Sequence, residues 1–69
     1  MAKLKESILS EIKRDRVLRR RIRMRIGTTH QGLDYMLRKN SNRLIGIDVL
    51  DEVATALNKS IQELYDDGN

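Results

Sequence analysis

One glycine, Gly27, separates two stretches whose apolar residues recur with the spacing of an α-helix. The apolar residues are Leu18, Ile22 and Ile26 before the glycine, and Leu33, Met36 and Leu37 after it. Residues three or four apart stack on one helix face, so each stretch predicts a short amphipathic helix. Glycine suits the left-handed backbone that ends many helices, and Thr28 or Thr29 can cap the helix that follows. The sequence therefore predicts a helix-turn-helix over about residues 18–38.

Composition limits how such a pair of helices can be stabilised. The chain has 69 residues, with no Cys and no Pro. Without Cys it can form neither a disulfide nor a thiolate zinc site, and the lack of Pro suits a helical chain. A chain of this length buries only about 60% of its unfolded surface. We therefore expect one domain over residues 1–69, held together by helix packing and further stabilised by pairing with itself or with a ligand.

Apolar periodicity and capping residues predict five helices in all. They span about residues 3–14, 16–26, 29–38, 47–57 and 60–65, the last opened by the capping box of Ser60 and Glu63. Asp15 is the expected break between the first two helices, and a single helix from Leu4 to Ile26 is the alternative. The fourth helix is expected to bury Leu50, Val53, Ala54 and Leu57. Asn58 is expected to end it in the left-handed region.

Two segments are expected to lie outside the helices. Residues 39–46 predict a polar loop that ends at Gly46. The acidic residues 66–69 predict a frayed tail. The fold class that follows from these elements is all-α.

The positive charge of the chain is unevenly distributed. The formal charge is +4, but residues 1–45 carry 13 Lys or Arg against 4 acidic residues. Between Lys13 and Arg25 there are eight basic residues and a single acid, Asp15. So dense a positive field attracts polyanions, and nucleic acid is the polyanion we favour. The alternatives are a solvated arginine face, an anionic lipid surface and an acidic protein partner.

Two motifs resemble the phage repressor and Cro family of DNA-binding domains. They are I-G-T-T-H-Q-G-L-D-Y-M-L, which starts at Ile26, and L-D-E-V-A-T-A-L-N-K-S-I-Q-E-L, which starts at Leu50. Ile26 and Gly27 match the family's hydrophobic-glycine turn, and Leu33 and Met36 match its buried recognition-helix positions. The resemblance covers about residues 18–65. It implies a compact five-helix repressor-like domain whose second and third helices form the helix-turn-helix.

Three residues of the motif need an explanation. Arg23 stands where the family has a small residue, at a point where a buried, unpaired guanidinium would cost several kcal/mol. It can reach solvent along its aliphatic stem, pair with Asp34, or require a wider crossing of the two helices. Thr28 stands where the family often has an apolar residue. Gly32 inside the third helix either allows a close approach of helix two or a phosphate, or has no such role.

The resemblance also implies which residues contact DNA. Base contacts in the major groove are expected from the recognition-helix residues Thr29, His30, Gln31 and Tyr35. Phosphate contacts are expected from Arg19, Arg38, Lys39, Asn40, Asn42 and Arg43. A glutamine can donate and accept in one bidentate contact with an adenine edge. Family members usually bind as two-fold dimers, so we expect a weak homodimer on double-stranded DNA, with Ile61 and Tyr65 as candidates for the partner surface.

Other classes of function are not expected. One histidine, His30, and no Cys leave no Cys–His nucleophile pair and no ordinary zinc site, so we expect no enzyme, no cofactor and no metal. No apolar run approaches the roughly 20 residues of a membrane span and no secretory signal opens the chain. We therefore expect a protein of the bacterial cytoplasm or nucleoid, with no membrane partner and no small-molecule substrate.

Two functions are compatible with these features. The first is a sequence-specific DNA-binding transcriptional regulator, a repressor of phage or mobile-element type. The alternative is a small helical protein-interaction module, adaptor or antitoxin-like, whose Arg-rich face docks on an acidic partner.

Overall fold

The computed structural model describes residues 2–66. They form the helices α1 (Glu6–Arg14), α2 (Arg16–Ile26), α3 (His30–Lys39) and α4 (Ile47–Leu57), and the short strands β1 (Lys3–Leu4) and β2 (Tyr65–Asp66). Single 3₁₀ turns occupy Asn42–Ile45 and Ile61–Glu63. The described chain is thus mostly helical, as the sequence predicts. None of its helices is both long and apolar enough to cross a membrane.

Asp15 separates α1 from α2 with an extended backbone, at φ −96° and ψ 101°. Its carboxylate Oδ1 accepts a hydrogen bond from the backbone N–H of Leu18 at 3.1 Å. This bond satisfies one of the donors that the first turn of a helix leaves free. The predicted break at Asp15 is confirmed, and the alternative of one helix from Leu4 to Ile26 is wrong.

The turn between α2 and α3 follows the local signals in the sequence. Gly27 has φ 71° and ψ 38°, in the left-handed region, and its N–H donates to the carbonyl of Arg23 at 2.8 Å. Thr29 is the residue that caps α3, and its Oγ1 accepts a hydrogen bond from the N–H of Gly32 at 3.0 Å. Asn58 ends α4 in the left-handed conformation, at φ 55°, as predicted.

The two ends of the described chain pair as an antiparallel ribbon. The paired residues are Lys3 with Asp66 and Leu4 with Tyr65. Next to them, the N–H of Lys5 donates to the carbonyl of Leu64 at 3.0 Å. The prediction that the first helix begins at residue 3 is wrong, because strand pairing holds β1 extended and α1 begins only at Glu6.

The prediction of a fifth helix is also wrong. Its capping interaction forms, since the N–H of Ser60 donates to the Glu63 carboxylate at 3.0 Å, but only one 3₁₀ turn follows. The chain then extends because Leu64 is fully buried and the next residues pair with β1. Asp66, predicted to fray, lies in β2, and the rest of the predicted tail, residues 67–69, lies outside the described residues. Residues 2–66 therefore contain four α-helices and a ribbon rather than five helices.

One cluster of buried side chains forms the core. Its members are Leu4, Ile8, Leu9, Ile12, Leu18, Ile22, Leu33, Leu37, Leu44, Val49, Leu50, Val53 and Leu64. The most extensive interface between two elements joins α2 to α4. The core thereby supports α2 from one side and leaves its arginines around the outside.

Two details of the core differ from the predictions. Leu44 is fully buried within the predicted polar loop, because the 3₁₀ turn folds it under α4 and β1. The helix α4 buries Val49 with Leu50 and Val53, whereas Ala54 and Leu57 are only partly buried. The fully buried residues of α4 therefore lie nearer its N-terminal end than predicted.

Candidate nucleic-acid interface

The helix α3 presents a polar face opposite the side that holds it in the core. Gln31, Tyr35 and Arg38 follow one another at intervals of four and three residues, so they share one face of the helix. All three are exposed, Tyr35 with 57% of its surface. On the other side, Leu33 and Leu37 are fully buried. The core therefore fixes α3 in place while its polar face stays accessible to a partner.

The first turn of α3 is closely packed against the turn before it. A Cβ on Gly32 would overlap the Oγ1 of Thr28 and lie 3.2 Å from the Oγ1 of Thr29. Gly32 is therefore needed for the two threonines to fold over the start of the helix. The close approach at Gly32 is therefore made by the side chains of Thr28 and Thr29, and not by helix two as the sequence allowed. The lack of a Cβ on Gly32 also leaves room for the side chain of Thr28, the residue after Gly27.

An ion-pair network joins α2 to α3. The guanidinium of Arg19 donates from Nη2 to Oδ1 of Asp34 and lies 3.5 Å from Nδ1 of His30. The other ring nitrogen of His30, Nε2, is 3.7 Å from Oδ2 of Asp34. Only 18% of the Arg19 side chain is exposed. Arg19, predicted to contact a phosphate, thus serves here to link the two helices.

Asp34 pairs with Arg19, so the alternative in which it pairs with Arg23 is wrong. Arg23 is partly exposed and lines a groove beside the start of α3. Its guanidinium is therefore not sealed between the two helices, and the family's preference for a small residue here does not apply to this chain.

We call this groove the arginine groove. It has a volume of about 350 Å³ and is lined by Arg16, Arg19, Arg20, Arg23 and His30. Two pairs of these arginines are four residues apart on α2, and like charges at this spacing cost a helix about 0.2–0.5 kcal/mol per pair. The sequence interpretation missed the groove, although the spacing of Arg16, Arg20 and Arg23 already places them on one flank of the helix.

The last turn of α3 and the 3₁₀ turn that follows contain two exposed cations and one exposed amide among the predicted phosphate contacts. Arg38, Lys39 and Asn42 are exposed, and Nζ of Lys39 lies 5.8 Å from the centroid of the Tyr35 ring. That distance allows a cation–π interaction, which orients Lys39 beside the polar face of α3.

Two other predicted phosphate contacts are engaged within the protein. Asn40 ends α3 in the left-handed region, and its Nδ2 donates to the carbonyl of Leu4 at 3.0 Å. Arg43 forms a bidentate ion pair with Asp48, with distances of 2.9 and 2.8 Å. Neither side chain is free for a phosphate in this conformation.

The Arg43–Asp48 pair makes stability depend on pH in the acid range. Hydrogen bonds from Arg43, and from the N–H of Val49, lower the pKa of Asp48 from 3.8 to about 2. A carboxylate whose pKa is lowered by folding stabilises the fold fully at pH values above its pKa in the unfolded chain. That stabilisation is lost as the pH falls through the pKa in the folded chain, about 2. We expect wild type to be more stable than Asp48→Asn at pH 5, and the difference to shrink steadily towards pH 2. Urea unfolding at several pH values measures it.

The partner variant Arg43→Gln is expected to remove most of this pH-dependent component, since only the hydrogen bond from the N–H of Val49 then remains. A difference between wild type and Asp48→Asn that stays constant from pH 5 to pH 2 would contradict this assignment.

The residues predicted to form a dimer surface pack partly against the core. Ile61 and Tyr65 are both partly buried there. More accessible apolar side chains lie elsewhere, namely Val17 and Met24 on α2 and Ile47 at the start of α4. Ile47 therefore remains accessible to a partner, whereas Ile61 and Tyr65 are partly covered by the fold.

Comparison with known proteins gives no relative from which a function could be transferred. No protein-family model, curated protein or solved structure matches the chain. The functional inference is therefore drawn from α2, α3 and their charges.

Proposed function

We propose that the chain is a sequence-specific double-stranded DNA-binding regulator of the phage repressor and Cro type. The observation that carries this proposal is the exposed polar face of α3, which stands next to cations that have no acidic partner. In residues 2–66, no carboxylate lies within ion-pairing distance of Arg38 or Lys39. An exposed helix face of this kind, bordered by free cations, suits the major groove of DNA.

In this proposal, Gln31 reads a base through its amide, and Tyr35 and His30 offer further donors or acceptors to base edges. Thr29 contributes its methyl group, because its hydroxyl already caps the helix. Arg38, Lys39 and Asn42 contact the flanking phosphates, which orient the helix without reading sequence. Two copies bind a two-fold site as a weak dimer, since one helix reads too few base pairs. No catalytic step is part of the proposal.

The second candidate function is an adaptor that binds an acidic protein. It is favoured by one observation, namely that Val17 and Met24 expose 65% and 74% of their surface on α2. Arg21 lies between them in sequence and is also exposed. An apolar strip with a central arginine fits an acidic amphipathic helix. An adaptor would bind all duplexes weakly and alike, whereas a regulator selects one.

Selection of sites from a random duplex pool, followed by binding measurements on the selected site, tests the proposal. Replacing Gln31 by alanine is expected to weaken binding to that site by about 1–3 kcal/mol, because a bidentate base contact is lost. Binding to scrambled DNA is expected to change little. Fluorescence anisotropy at fixed salt gives both affinities.

The matched control is Gln62→Ala, which removes another exposed glutamine, in the 3₁₀ turn Ile61–Glu63 and outside α3. It is expected to leave both affinities unchanged. If the pool yields no preferred sequence, the regulator proposal fails. If Gln31→Ala weakens selected and scrambled DNA equally, Gln31 does not read a base.

A further inference from the structure

We infer that the arginine groove is a binding site for two neighbouring phosphate groups. The inference goes beyond the predicted contacts, because it assigns phosphate binding to Arg16, Arg20 and Arg23 on α2. It rests on the proposed function only for the source of those phosphates, which is the DNA backbone. The site itself is defined by its charge and shape.

The groove carries an excess of positive charge, and three of its four arginines have no internal counter-charge. Within residues 2–66, no carboxylate lies within ion-pairing distance of Arg16, Arg20 or Arg23. The acid nearest to the groove residues, Asp34, already pairs with Arg19 and contacts His30. Three guanidinium groups on one flank of a helix repel one another, and a bound anion removes that repulsion.

Where α2 meets α4, by contrast, one arginine of the same helix has acidic partners. Arg25 lies 2.9 Å from Glu52 and 3.8 Å from Asp51, both on α4. The fold therefore neutralises Arg25 where α2 meets α4, and leaves Arg16, Arg20 and Arg23 in the groove without such partners. An external anion is the remaining source of negative charge for the groove.

The arginine row is also long enough for more than one phosphate group. Arg16 and Arg23 are seven residues apart, which is about 10 Å along a helix axis. The groove has a volume of about 350 Å³. A row of arginines about 10 Å long is longer than a single phosphate group. Arginine forks donate two parallel hydrogen bonds to a phosphate, so three of them can hold two groups at once.

The end of the groove provides further groups that favour an anion. His30 is the first residue of α3, where the free N–H groups of a helix carry partial positive charge. Arg19 Nε is buried and has no hydrogen-bond partner among the described residues, while its Nη2 is fixed by Asp34. The Arg19–Asp34 pair thus links α2 to α3 beside the groove.

Closely spaced phosphates come from two sources, the backbone of DNA and a free diphosphate. Pyrophosphate is the probe for the site itself, because it carries two phosphate groups and no base. We expect it to raise the melting temperature of the protein relative to sodium chloride at the same ionic strength, since it binds only the folded chain. The groove variant Arg20→Gln/Arg23→Gln is expected to lose this increase.

The matched control is Arg21→Gln/Arg25→Gln, which removes the same charge from the other flank of the same helix. It is expected to keep the increase. The melting temperature without pyrophosphate shows that each variant is folded. If pyrophosphate stabilises the groove and control variants equally, or does not stabilise wild type, the inference is overturned.

The DNA experiment identifies the source of the phosphates. Each phosphate contact contributes about −0.9 to the slope of log affinity against log salt, so the groove variant should flatten that slope by about 1.8. Discrimination between selected and scrambled duplex should not change. A pyrophosphate effect with an unchanged DNA slope supports the site and assigns it to a free diphosphate. A pyrophosphate effect without any duplex discrimination supports the site and overturns only the proposed function.

Discussion

Replacing Leu44 by alanine is expected to cost about 2–5 kcal/mol of unfolding free energy, whereas Ile47→Ala is expected to change it by less than about 0.5 kcal/mol. The two residues lie three positions apart in similar sequence surroundings. Leu44 is completely buried in the core, but Ile47 exposes 71% of its surface. The first change opens a cavity that the packed neighbours fill only in part, and the second removes methyl groups that already face water.

The effect at Leu44 is large relative to the whole stability of the chain. At about 0.05–0.15 kcal/mol per residue, a domain of this length has about 3–10 kcal/mol in total. The Leu44→Ala variant should therefore unfold at a markedly lower urea concentration and be partly unfolded in buffer. Urea titration followed by far-UV circular dichroism measures both variants. Equal destabilisation by the two substitutions would contradict the placement of Leu44 in the core.

The affinity for the selected duplex is expected to fall several-hundred-fold between 50 and 200 mM salt. About five cations are available for phosphates in the proposed complex, namely Arg16, Arg20, Arg23, Arg38 and Lys39. At about −0.9 per contact, they predict a slope near −4.5 for log affinity against log salt. The sequence alone predicts about six contacts, but Arg19 and Arg43 are engaged by Asp34 and Asp48.

Anisotropy titrations across that salt range measure the slope. Arg38→Gln is expected to flatten it by about 0.9, and Arg43→Gln, which removes an arginine already paired with Asp48, should leave it unchanged. A wild-type slope near −2 would mean that only Arg38 and Lys39 contact phosphates. A slope near zero would mean that the duplex is not bound through its backbone.

The sequence by itself determined the features that depend on neighbouring residues. Asp15, Gly27 and Asn58 end or begin helices where predicted, because a cap or a left-handed residue acts within one helical turn. The exposed face of α3 was also predictable, since the apolar spacing of Leu33 and Leu37 leaves Gln31 outside.

Only the tertiary structure decided the features that join distant parts of the chain. The pairing of β1 with β2, the Arg19–Asp34 bridge and the burial of Leu44 each bring together residues that no local pattern connects. For the same reason, the sequence pattern predicted a fifth helix where only one 3₁₀ turn forms. It also could not show which arginines are already paired with acidic residues. Local hydrogen bonding sets helix ends, whereas packing of distant side chains decides whether a short segment stays helical and whether a charge is free to bind.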